Sequence, residues 1–334
     1  MFFGTTPSII SQYLFQEILK VQPKRVFVPF AGNFVVEQIT GIASKNIEVH
    51  STDVMLYSRA IGHALTDTQF ECKLKPHILE QFPMFEGKES PIEKCALVIF
   101  FNEVAKNMVK EHIAYYKSLN KHSVERAEAY FDKIVKKIES VKSNIGNMKF
   151  YGMDACKLLP DVREGDLVFY DPPVIIGDYE NQYKVLESVF EFKDPDYTII
   201  DTDLKMRQLN DLHEKGAIVY YRTNNPCPDI NFPFELTYHY QYKYHGAYCI
   251  YTNIKTDKWV GAWSPIKEKV MKLPMIDRND VITENSKIEF IPCNSQVANH
   301  YRLLWVKKAE ITDSGHAFII LVDGKLIGVA VIAD

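Results

Sequence analysis

The run Asp166-Leu167-Val168-Phe169-Tyr170-Asp171-Pro172-Pro173-Val174 constrains this chain more than any other stretch. A short apolar run bounded by turn residues reads as a buried strand. Two successive prolines lack the backbone donors that would continue a ladder, so the strand ends at Asp171. A carboxylate and two rigid peptide carbonyls are thereby held at the C-terminal end of a strand, where open α/β sheets bind their ligands. Acceptors fixed in this way suit chemistry at an amino group.

The N-terminal part builds toward the same edge. Gly4-Thr5-Thr6-Pro7-Ser8 precedes apolar residues at helical spacing from Ile9 to Leu19, so a helix is expected to start near Pro7. Arg25-Val26-Phe27-Val28 reads as a strand that breaks at Pro29 and passes through Phe30-Ala31-Gly32-Asn33 into a helix beginning at Phe34. A second strand, Ile47 to Thr52, ends at Asp53. Strand, glycine-bearing turn, helix and acid-tipped strand is the pattern of a nucleoside-binding βαβ unit, in which the acid holds ribose hydroxyls. Only Gly32 lies in the turn, and an isolated turn of this kind is more often structural.

Residues 56–147 read as a helical insertion in which apolar and basic residues alternate. Lys106, Lys110, Lys117, Lys121, Arg126, Lys133, Lys136, Lys137 and Lys142 lie among Tyr115, Tyr116, Tyr130 and Phe131. Interspersed acids, among them Glu103, Glu128 and Glu139, fit a solvated helical face; the sharper reading is a surface that meets a phosphate backbone. The sheet pattern resumes at Met148 to Asp154 and continues through the Asp-Pro-Pro strand. Tyr183 to Phe192 and Leu204 to Glu214 read as helices, and Ala217 to Tyr221 as a strand. Leu236 to Tyr244 and Ala247 to Ile254 form an expected closing hairpin. Strands alternating with helices predict a mostly parallel sheet with one antiparallel edge.

This assigns residues 1–255 to a first domain and 256–284, rich in Trp and Pro with little periodicity, to a linker. Residues 285–334 form a small α+β segment, with a strand near Lys287 to Ile291, a helix over Ser295 to Val306 and a hairpin turning at Asp323-Gly324. That segment is expected to continue beyond Asp334 or to be covered by a partner.

Bulk properties narrow the classes. At 334 residues and a formal net charge of -4, the chain is not a uniformly basic protein, so nucleic acid would have to meet a local patch. Cys72, Cys95, Cys156, Cys227, Cys249 and Cys293 include no Cys-x-x-Cys pair and no His-Cys cluster at metal spacing, so no metal site is expected. No stretch approaches about 18 apolar residues, and the N-terminus lacks the regions of a signal peptide. No membrane partner and a cytoplasmic location are expected.

Taken in order, these pieces resemble the amino-group DNA methyltransferases that use S-adenosylmethionine, in particular the adenine-modifying Dam-like class. The resemblance covers roughly residues 2 to 254. It rests on Gly4-Thr5-Thr6, on Pro29-Phe30-Ala31-Gly32-Asn33, on Asp53, on Asp154 after Gly152, and on Asp171-Pro172-Pro173-Val174, with the insertion where that class keeps its target-recognition segment. It implies an α/β, Rossmann-like S-adenosylmethionine-dependent methyltransferase fold. Gly4, Thr6, Pro29, Phe30, Ala31, Gly32, Asn33, Asp53 and Asp154 would bind S-adenosylmethionine, and Asp171, Pro172, Pro173 and Val174 would act on adenine flipped from DNA. The lysine-rich insertion would bind the DNA, and protection of phage DNA from restriction would suit the layout.

Three positions depart from that family, one of them Thr6, which stands where members often have lysine. Val174 replaces the aromatic residue that stacks on the flipped base, so Tyr179 or Tyr183 is expected to supply the ring; Phe34 replaces a glycine of the cofactor turn. Two other readings stay open: a non-catalytic DNA-binding module that kept the fold, and a methyltransferase acting on RNA or on a protein amide. The hairpin from Asp323 to Ala330 resembles the middle strands of GNAT-type acyltransferases, which implies a partial acyltransferase-like segment at the C-terminus.

Overall fold

The computed structural model describes residues 8–109, 121–122, 124–172, 178–193, 195–223, 233–241, 247–262, 273–293, 297–298, 301–302 and 316–332. The chain divides into two compact units, Met1–Ala262 and Trp263–Asp334.

In the first unit, α1 (Ser8–Val21) leads into β1 (Arg25–Val28), α2 (Val35–Ala43), β2 (Glu48–Ser51) and α3 (Leu56–Thr66). The insertion adds β3 (Cys72–Leu74), α4 (Pro76–Gln81), α5 (Pro91–Val109) and α6 (Ala127–Asn144). Next come β4 (Asn147–Phe150), α7 (Ala155–Leu158), β5 (Leu167–Tyr170), α8 (Asp178–Val189), β6 (Phe190–Phe192), α9 (Thr202–Glu214) and β7 (Ile218–Thr223). The unit closes with β8 (Glu235–Gln241), β9 (Ala247–Thr252) and β10 (Trp259–Ala262).

Eight strands form one sheet in the order β10-β8-β9-β7-β5-β1-β2-β4. β1 pairs in parallel with β2 on one side and β5 on the other, so the chain reverses its direction of winding there. β4 pairs in parallel with β2, and β7 with β5. The doubly wound sheet with helices is the Rossmann-like fold that the family resemblance implies. Its ligand crevice falls between the C-terminal ends of β1 and β5, the switch point of the topology.

Side-chain alternation explains how the sheet is covered. Val26, Val28, Leu167, Phe169 and Tyr220 face one way, onto Ile10, Leu14 and Ile18 of α1, which lie four residues apart on a single stripe. Phe27, Val168, Tyr170, Val219 and Tyr221 face the other way, onto Leu158, Leu209 and Leu212.

Three expectations need correction. The antiparallel strand is not at the edge: β9 pairs antiparallel with both β7 and β8, and all six of its residues are buried. An apolar strand gains more from two neighbours than from one. The sheet also extends past Lys255. Trp259–Ala262, expected in the linker, pairs in parallel with β8, and the Trp259 ring stacks on Tyr238 at 4.5 Å. Finally, the insertion is not wholly helical, because β3 pairs antiparallel with β6, a segment expected to be helix, and Cys72 and Phe190 are buried.

The remainder of the insertion is a helical layer with its own aromatic core, including Phe85, Phe100, Phe101 and Phe131. On α6, Phe131, Ile134 and Ile138 form the buried stripe, which leaves Lys133, Lys136 and Lys137 exposed.

The second unit contains β11 (Ile288–Cys293), β12 (His316–Val322) and β13 (Lys325–Ile332) in an antiparallel sheet of that order. Its turn is Asp323-Gly324, with φ of 50° and 76°, the doubly positive geometry that Asp-Gly favours. Its core is small, with Tyr301, Ile319, Leu321 and Leu326 buried. Most of the expected helix from Ser295 to Val306 lies outside the described residues. Among the described residues, no helix is long and apolar enough to cross a membrane.

Candidate functional site

The turn after β1 is shaped by two left-handed residues. Gly32 takes φ +51°, a conformation glycine adopts without steric cost, and a Cβ built there would meet nothing within 4 Å. Phe34 takes φ +59° at the start of α2, and its ring is fully buried among Ala31, Leu65 and Phe150. Phe34 therefore acts as a core plug beneath the turn. The Ala31 amide donates to the Thr52 carbonyl at 3.0 Å, tying the turn to the end of β2.

Asp53, just past β2, completes this tie. Its two carboxylate oxygens accept from the Met55 amide at 3.0 Å and the Gly32 amide at 2.9 Å. Burial raises its pKa above the ordinary carboxylate value, and these backbone donors oppose the shift. Deeper on α2, Glu37 accepts from the Ser51 hydroxyl at 2.5 Å. Glu37 is 1% exposed, and burial pushes its carboxyl up to about 8.

Asp154 caps α7. One of its oxygens accepts from the Cys156 amide at 2.8 Å and the other from the Thr198 amide at 2.6 Å. Each carboxylate oxygen has two lone pairs, so these bonds leave acceptor capacity on the group.

At the end of β5, Asp171 meets Arg222 of β7. The strands pair with Tyr170 opposite Tyr221, so the next residue on each is brought alongside. Arg222 donates through Nη1 to both oxygens of Asp171, at 2.9 and 3.3 Å. The guanidinium lies over the Tyr248 ring, 4.3 Å from its centroid. About a third of the Asp171 side-chain surface stays exposed, at 32%. Desolvation at the strand end raises its pKa above the carboxylate norm, and the Arg222 charge and hydrogen bond pull it back.

Tyr170 anchors the strand beneath. Its hydroxyl donates to Gln208 Oε1, and Gln208 Nε2 donates to Cys156 Sγ at 3.1 Å. The Phe30 ring meets the Tyr170 ring edge-on at 5.3 Å. That contact joins the β1 turn to the strand carrying Asp171.

Pro29, Phe30, Ala31, Gly32, Asn33 and Asp53 thus gather at the C-terminal ends of β1 and β2, with Asp171 and Pro172 at the end of the adjoining β5. Gly4, Thr6, Pro173 and Val174 lie outside the described residues, as does the side chain of Tyr179, which sits on α8. Sequence reading did not pick out Arg222, Gln208 or Thr198. Arg222 carries one usable signal, an arginine closing an apolar strand, but only the β5–β7 register pairs it with Asp171.

The residues fit a nucleoside-bearing cofactor such as S-adenosylmethionine. Open space lies where a Gly32 Cβ would project, and an acid stands at the tip of β2 beside the same turn.

Residues 2–272 match the family described as Phage DNA Adenine Methylase-like domain 1. The match ends before β11, and the acyltransferase resemblance of the C-terminal hairpin finds no support. No curated protein matches the chain. Among solved structures, one similar chain is described as a putative methyltransferase yhhF from Escherichia coli, 12% identical, with a TM-score of 0.32, covering 76% of this chain and 90% of that one.

Proposed function

The chain belongs to the phage DNA adenine methylase-like family, and we propose that it transfers a methyl group from S-adenosylmethionine to the exocyclic amino nitrogen of adenine in DNA. The observation that carries this reading is the Asp171 carboxylate, held at the end of β5 beside the β1 turn with part of its surface open. When bound, S-adenosylmethionine supplies an electrophilic methyl group. The turn from Pro29 to Asn33, with Asp53 and Asp154, would hold it, joined by Gly4 and Thr6 by resemblance.

An adenine amino group is a poor nucleophile because its lone pair is delocalised into the ring. Asp171 and the Pro172 carbonyl accept hydrogen bonds from its N–H groups and return density to nitrogen, and one of those protons is released to solvent once the nitrogen carries the methyl group. Holding the nitrogen in line with the donor supplies most of the remaining acceleration. The target base must leave the duplex, with Pro173, Val174 and Tyr179 expected around it. Lys133, Lys136 and Lys137, exposed on one face of α6, are the proposed phosphate contacts. The family description supports a phage setting, in which methylation would shield DNA from restriction.

The test is methylation of unmodified DNA with labelled donor, followed by nucleoside analysis. The wild type is expected to yield N6-methyladenine, and Asp171→Ala to lose about 10²-fold or more of the rate while still binding donor. Donor binding without methylation of any DNA or RNA would sink the reading and favour a binding module.

A further inference from the structure

We infer that Arg222 is the positioning residue of the amino-group site: through a single Nη1 it fixes the rotation of the Asp171 carboxylate and holds it as the anion. This rests on the reading of Asp171 given above.

The geometry decides what is left for a substrate. A carboxylate has about four acceptor directions on two oxygens, and all of them can receive protons only while it is ionised. Nη1 lies 2.9 Å from Oδ1 and 3.3 Å from Oδ2, so it occupies one direction on each oxygen. The other direction on each oxygen remains for amino protons. A fork-to-fork pair would lock the same groups but draw on two donor nitrogens; here one nitrogen serves both oxygens.

The guanidinium is itself held in place. Its carbon sits 4.3 Å from the centroid of Tyr248, which is buried on β9, and the β7–β9 ladder sets Arg222 opposite Ile250, two residues along from Tyr248. A planar guanidinium on an aromatic face keeps its orientation in a way that an ammonium does not. Among the described residues, the charged group facing Asp171 from the packed strands is Arg222 of β7, backed by Tyr248 of β9. Burial acts on Asp171 in the direction of the protonated acid, which cannot accept through its O–H, and Arg222 acts against it.

The test follows the Asp171 carboxyl directly by carbon NMR on aspartate-labelled protein, assigned with Asp171→Asn, alongside the pH profile of methyl transfer. In Arg222→Gln, the Asp171 titration and the acidic limb of kcat are both expected to move up by about 1–3 pH units, as loss of an adjacent opposite charge requires. The donor KM should stay within about twofold, because the change falls on proton acceptance and orientation. Arg222→Lys should bring the titration back toward wild type by restoring the charge. Where Arg222→Gln does not fold, Tyr248→Leu is expected to shift the titration upward by a smaller amount.

An Asp171 titration unmoved in folded Arg222→Gln, or in Tyr248→Leu where that variant replaces it, overturns the inference. So does an acidic limb that stays in place while Arg222→Lys is as inactive as Arg222→Gln. A wild type that methylates nothing while the titration still moves overturns the amino-group reading instead, because the titration needs no turnover.

Discussion

Phe34 stands where the resembled family keeps a glycine, and its backbone and side chain pull in opposite directions. At φ +59° a non-glycine residue carries about 1–2 kcal/mol of strain. Truncating a fully buried phenylalanine costs about 3–5 kcal/mol. Burial wins, so Phe34→Gly is expected to destabilise the protein by about 1–4 kcal/mol despite relieving the strain. Urea denaturation should show a lower midpoint at unchanged slope, and a raised midpoint would mean that strain dominates. The sequence marks Phe34 as a departure but cannot give the reason, since Leu65 and Phe150 reach it only through folding. Arg222 is similar: its identity is plain, yet its role depends on which strand lies beside β7.

Between elements, the join of α2 to β2 depends on a buried acid. Glu37 accepts from Ser51 and is pushed up to about 8 by burial, so in the folded protein it stays protonated where the unfolded chain would ionise it. Between the ordinary glutamate value of 4.5 and about 8 the native state holds the extra proton. Stability therefore falls as pH rises through that window, the reverse of an ion-paired carboxylate. Glu37→Gln, which keeps the shape without the titration, is expected to flatten the decline. Denaturation of both proteins at pH 5 and pH 8 checks this, and parallel losses in the two would refute it. The βαβ unit was legible because its periodicity and turn residues are local. Strands β3, β6 and β10 were not, because they exist only through partners distant in sequence.

At the scale of the molecule, the two units differ in how much they bury. The first stacks helices on both faces of an eight-stranded sheet, whereas the second rests on Tyr301, Ile319, Leu321 and Leu326. Local opening is easiest where little apolar surface is covered. Native-state hydrogen exchange is expected to release the amides of β12 at a markedly lower free energy than those of β5 and β7. Equal protection would show that the second unit opens only with the first.

The sequence by itself determined the strand that ends at Asp171-Pro172, the glycine-bearing turn after β1 and the acid after β2. Proline chemistry, left-handed backbone and apolar periodicity are properties of neighbouring residues. Those same features carry the methyltransferase fold and the family. Tertiary structure alone decided that Asp171 lies against Arg222, that Asp154 is shared with Thr198, and that β9 lies inside the sheet. Each depends on strand register or loop packing, where residues far apart in the chain compete for one carboxylate or one edge. Apolar patterning selects which face of an element is buried and leaves open which neighbour it meets.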